Sequence, residues 1–145
     1  MDGAPGPWGL GAIATGAFVG NLHGALWYGP ICGAPWVKLM KEFRGIEGKF
    51  EEAVAKRWPY SMECSYASSA FCQAIKSWFF WQLFTSQKVN TVWDAWKLAL
   101  LGYPLILAYC HHSFWEGKRL THTLIDQSME LTSLLLVSGV VVKLM

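Results

Sequence analysis

Charge is scarce in this sequence, and that scarcity removes most soluble functions at the outset. Only 15% of the 145 residues are charged while 53% are hydrophobic, against about 25% charged in ordinary soluble domains. A net charge of +2 is too small for a nucleic-acid footprint. No basic stripe interleaves with aromatics, so no nucleic-acid partner is expected. The four cysteines, Cys32, Cys64, Cys72 and Cys110, form no CxxC pair. A zinc ribbon or thioredoxin-type motif is thereby unsupported. Cys64 and Cys72, about two helical turns apart, are too distant to bridge and read as small apolar fillers. GxSxG, HExxH, P-loop and dinucleotide fingerprints are all missing. No catalytic residue or metal site is assigned, and the chain is not expected to be an enzyme. The N-terminal MDGAPGP has no Lys or Arg, so the apolar stretch after it reads as a retained helix and not a cleavable leader.

What is abundant is apolar and aromatic. Nine tryptophans are many for this length, and Trp favours membrane–water interfaces. The expected architecture is all-α, a single polytopic membrane domain over residues 1–145 with four transmembrane helices. The first span is Trp8–Tyr28, free of Lys, Arg, Asp and Glu and ended by Gly29-Pro30. ICGAPW follows as a loop or short re-entrant turn. Val37–Pro59 mixes both charge signs around Leu39, Phe43, Ile46, Phe50 and Val54. That spacing predicts an amphipathic surface segment, broken near Gly45 and Gly48. The remaining spans are 62–84, 92–114 with Pro104 as a kink, and 120–144. Trp78, Phe79, Phe80 and Trp81 close the second span and Trp93 and Trp96 open the third, as an aromatic belt would.

Lys38, Lys41, Arg44, Lys49, Lys56 and Arg57 fall in the first loop, and Lys118 and Arg119 in the third. The second loop has only Lys88. This asymmetry puts the basic loops in the cytoplasm, stroma or matrix and both termini opposite.

Three constellations stand out. Ala12, Gly16, Gly20 and Gly24 repeat every four residues, a small-residue face for close helix approach, either inside the bundle or between copies. Asn21 and His23 flank it as interhelical hydrogen-bonding groups. His122, Asp126 and Glu130 share one face of the last helix. They suit a structural ion pair, a proton relay or a metal stripe. Lys76 and Lys97 are the candidate partners of Glu130, Lys76 preferred, with Gln73 as a hydrogen-bonding alternative. His111 and His112 are suited to interfacial hydrogen bonding; a haem or chlorophyll ligand is the less favoured role, and no cofactor is predicted.

Two stretches carry a family resemblance. LWYGPICGAPWVKLM contains Trp27, Tyr28, Gly29, Pro30 and Trp36 and resembles a "WYGPLFGKxW" signature. FWEGKRLTHTLIDQSMELTSLLLVSGVV contains Glu116 and Gly117 and resembles the last loop and helix of the same small membrane family, catalogued as domain of unknown function 1761. The resemblance implies a four-helix membrane domain and no activity. Glu130 stands about where that family often has His.

The function expected from these features is a non-catalytic helix-packing subunit, self-associated or held in a larger membrane assembly among lipids and other subunits. The alternative is a small transporter or channel with a polar path along the fourth helix.

Overall fold

A computed structural model describes residues 6–49, 62–108 and 116–145, and all regular structure among them is helical. Helix α1 is Pro7–Leu26 and runs into a π-helical turn at Trp27–Ile31. Helices α2 (Gly33–Arg44), α3 (Met62–Gln87), α4 (Val92–Ala108) and α5 (Leu120–Leu144) follow. The Leu120–Leu144 bounds coincide with the fourth expected span, and α3 extends three residues past the second.

The main departure lies at the first span's end. Gly29-Pro30 does not stop the helix, and ICGAPW is not a loop. Pro30 has no N–H for the Leu26 carbonyl, and its ring crowds that oxygen. The chain absorbs the defect by widening for one turn. The Cys32 N–H then donates to the Trp27 carbonyl five residues back, at 2.7 Å. Helical structure resumes at once at Gly33. A Cβ on Gly33 would lie 2.6 Å from the Tyr28 carbonyl oxygen, so this close approach requires glycine. Helix α2 ends where expected, at Gly45, whose φ of 60° is left-handed. The Ile46 N–H closes the end by donating to the Lys41 carbonyl at 2.9 Å, and buried Ile46 seals it. The amphipathic segment therefore starts earlier than Val37, and its part over residues 50–59 lies outside the described residues.

Helix α5 is the central element. It packs against α1, α3 and α4, and its first turns meet α2. Helix α1 lies in turn against α3. The apolar core gathers Phe80 and Phe84 of α3, Ala95 and Ala99 of α4, and Leu134, Val137, Val141 and Val142 of α5. Phe80 thus belongs to the core and not to an interfacial belt, whereas Trp78, Phe79 and Trp93 are exposed. The indole of Trp96 donates to the Leu135 carbonyl at 2.9 Å and ties α4 to α5. Thr91 caps α4, accepting the Asp94 N–H at 3.1 Å.

Among the described residues one helix, Leu120–Leu144, is long and apolar enough to cross a membrane. Helix α1 has no Asp, Glu, Lys or Arg, but its glycines, Asn21 and His23 dilute its hydropathy. Helix α3 is diluted by serines, glutamines and Lys76. The third expected span is described only to Ala108.

Candidate functional site

The glycine row determines where the interior lies. Ala12, Gly16 and Gly20 are buried and Gly24 is half-buried. A Cβ on Gly16 would come within 2.8 Å of Ser77 Oγ and 2.9 Å of Val141. One on Gly20 would meet Gln73 at 2.5 Å and Val137 at 3.2 Å, and one on Gly24 would meet Met129 at 3.2 Å. The row therefore seats α1 against α3 and α5 together and is used up within the chain. The flanking polar groups follow the same geometry. Ser69 Oγ of α3 donates to Asn21 Oδ1 at 3.0 Å, and His23 Nε2 lies 3.1 Å from Thr132 Oγ1 of α5.

One face of α5 carries His122, Asp126 and Glu130, spread over about 12 Å of helix. His122 is 2% exposed, and its Nε2 stands 3.6 Å from Asp126 Oδ2, beyond hydrogen-bond range. Asp126 Oδ1 accepts the Tyr28 hydroxyl at 2.9 Å, while the Trp27 indole donates to the Ile125 carbonyl at 3.2 Å. The two stretches that carry the family resemblance thus meet, nearly a hundred residues apart. The π-turn makes this possible: Trp27 and Tyr28 reach inward while Gly29 and Pro30 stay exposed.

Deeper along α5, the Lys76 ammonium pairs with Glu130 Oε2 at 3.1 Å. Ser133 Oγ lies 3.5 Å from the same nitrogen. Lys97 instead pairs on its own helix with Asp94, at 2.9 Å. Gln73 is not the partner of Glu130 either. It is buried against Gly20, and its Oε1 has no partner among the described residues. Ser77, Ser133 and Ser138 are fully buried beside this stripe. Sequence reasoning missed them because small polar residues scattered along an apolar helix show no period.

His122, Asp126 and Glu130 line a cavity of about 420 Å³ between α2 and α5, whose other wall includes Tyr28, Trp36 and Phe43. The aromatic rings are in contact: Trp36 lies 5.2 Å from Tyr28, and His122 meets Trp36 and Phe43 edge-on at 6.4 and 6.2 Å. A smaller cavity of about 270 Å³ lies between His122 and the Glu116–Gly117 turn. Around it Arg119 pairs with Glu42 at 2.8 Å and Lys118 with Glu116 at 2.9 Å. Gly117 has a φ of 77°, which glycine alone adopts readily. Beyond Glu130 the space closes, because Ser77, Ser133, Val137 and Val141 are 0% exposed under Gly16 and Gly20.

No group of three or more His, Cys, Asp or Glu arranged for a metal ion occurs among the described residues. His111 and His112, with Cys110, lie outside them.

No curated protein and no solved structure matches the chain. A family profile described as "Protein of unknown function (DUF1761)" matches residues 11–142. With nearly the whole chain covered, and with its two signature stretches joined through Tyr28 and Asp126, the protein belongs to the DUF1761 family.

Proposed function

We propose that this protein is a four-span integral membrane protein that binds and passes a small polar solute through a one-ended vestibule along α5. The observation that supports this reading is the cavity of about 420 Å³ touching His122, Asp126 and Glu130. Ionisable groups are costly within a membrane and normally face a polar path or one another. Here one carboxylate is paired, with Lys76, and the other lines a space large enough for a ligand. Arg44 and Lys118 line the cavity, and on this reading the basic loops, and with them the mouth, face the cytoplasm, stroma or matrix. At the far end the seam of Gly16, Gly20, Val137 and Val141 is the gate that would have to part for passage.

The second reading is a helix-packing subunit of a larger assembly or a homo-oligomer. It draws support from the exterior of α3, where Tyr66 and Phe71 are each 67% exposed and Phe79 is 55% exposed. Lipid tails would cover such a face equally well, and the glycine row, being internal, is not available to a second chain.

Thiol accessibility separates the two readings. In vesicles carrying the protein with Cys32, Cys64, Cys72 and Cys110 replaced by serine, a single Glu130→Cys is expected to react with a membrane-impermeant thiosulfonate from the basic-loop side only. A single Ser77→Cys is expected to resist from both sides. Protection of Glu130→Cys from both sides would remove the vestibule and leave the subunit.

A further inference from the structure

We propose that the vestibule takes a small organic ammonium cation, held by the Asp126 carboxylate against the rings of Tyr28, Trp36 and Phe43. The proposal rests on the vestibule reading above and adds the chemical class of the solute.

Charge accounting around the cavity comes first. Glu130 is neutralised by Lys76 at 3.1 Å, and Lys118 by Glu116 at 2.9 Å. Arg44, also in the wall, is engaged as well. Asp126 is different: its partners among the described residues are the Tyr28 hydroxyl at 2.9 Å and His122 at 3.6 Å. No Lys or Arg among the described residues pairs with it. A carboxylate whose contacts are a phenol and an imidazole keeps most of its attraction for a cation that enters the cavity.

The walls then select the kind of cation. Tyr28, Trp36 and Phe43 line the same space as Asp126, and the Phe43 ring already carries the Lys118 ammonium at 5.8 Å, a cation held on this wall by the chain itself. Aromatic faces attract cations through the ring quadrupole, and aromatic walls with a carboxylate suit an alkylated ammonium that is charged yet weakly hydrated. A divalent metal ion is poorly served, because Glu130 is held by Lys76 and no group of three or more His, Cys, Asp or Glu is arranged for a metal among the described residues. An anion would face Asp126 directly. The volume of about 420 Å³ suits a small organic molecule. His122 adds a further polar atom. It is 2% exposed and lines the cavity, and its Nδ1 has no partner among the described residues.

The test uses the full chain in lipid nanodiscs with choline as probe and 3,3-dimethylbutan-1-ol as its uncharged isostere. Choline is expected to bind, and the alcohol to bind at least about tenfold more weakly, the loss of one charge-assisted contact. Asp126→Asn is expected to lower choline affinity by a similar factor, and Trp36→Leu to lower it with Asp126 intact. Since Asp126→Asn could fail to fold, a protection assay runs alongside. With Lys76→Met added so that no unpaired ammonium is left beside the cavity, choline is expected to slow thiosulfonate labelling of Glu130→Cys in the vesicles described above, and the alcohol to leave it unchanged. Labelling that neither compound slows would overturn the ammonium proposal and leave the vestibule standing. No labelling at all would overturn both. Equal binding of choline and the alcohol would show an apolar pocket without charge selection and would also overturn the proposal.

Discussion

From Leu120 to Glu130, α5 turns His122, Asp126 and Glu130 toward a cavity, each contacting a different element. From Ser133 to Val142 the same helix turns Val137 and Val141 toward α1 and Ser133 toward Lys76 of α3, and leaves no exposed surface on any of them. What separates the halves is the opposing helix. Opposite the second half stand Gly16 and Gly20, whose missing side chains let backbones approach until dispersion contacts fill the gap. Opposite the first half, α1 has widened into the π-turn, and the chain that faces α5 is α2 with its large rings. The opposing helix adds to a difference already written in α5, where 4 of 11 residues are apolar over Leu120–Glu130 and 8 of 12 over Leu131–Val142. The neighbour's side-chain volume then decides how closely each half is covered.

Filling the dry half is the strongest way to break this contrast. Gly20→Leu would push a branched side chain into Gln73 and Val137, and overpacking of this kind costs about 1–3 kcal/mol. We expect the upper part of that range, since both α3 and α5 must move. Thermal unfolding in detergent measures it, and a melt indistinguishable from the parent's would mean the seam is looser than described.

The boundary between the halves is the Lys76–Glu130 pair. Glu130→Ala is expected to destabilise the protein, and less so when Lys76→Met is also present, because the lone ammonium is then removed. The pair is partly accessible, with side chains 21% and 38% exposed, so the coupling is expected near about 1 kcal/mol and not at the buried-pair extreme. A double-mutant cycle on the melting transition reads it directly, and additive single effects would show that the two groups are independent.

In the wet half the expected effect is smallest. Tyr28→Phe removes one hydrogen bond to Asp126 and keeps the ring, a loss of about 0.5–1.5 kcal/mol. Solvent in the cavity can replace the lost hydroxyl, which favours the low end of that range. The check is the same melt. A loss as large as that of Gly20→Leu would erase the distinction between the halves.

How much of this was legible in the sequence differs by feature. The ends of α5 and the break of α2 at Gly45 follow from periodicity and glycine chemistry, which are local. Lys76 is preferred over Lys97 because α3 enters from the same basic side as α5 and α4 from the opposite one, and the geometry places Lys76 at Glu130 with Lys97 held by Asp94. The glycine row was legible as a contact face, but its use inside the chain was one of two open readings. Pro30 misled, because proline ordinarily ends helices and the alternative of a one-turn widening has no composition signal of its own. Gln73, the hydrogen-bonding alternative for Glu130, lies instead against Gly20, a contact between helices that helix phase alone does not reveal. The Tyr28–Asp126 contact was not legible at all. It joins residues 98 positions apart, and a single sequence holds no information on such pairings.

The π-turn at Trp27–Ile31 also acts as a phase-setter. Each residue added to or removed from a helix rotates everything after it by about 100°. The extra residue in that turn fixes the clock position of Trp36 and Phe43 relative to Gly16 and Gly20. Shortening 27–31 by one would leave Trp36 and Phe43 in the sequence yet turn that aromatic wall away from α5. Length in this stretch is therefore as constrained as residue identity: two substitutions here are easier to accommodate than one deletion.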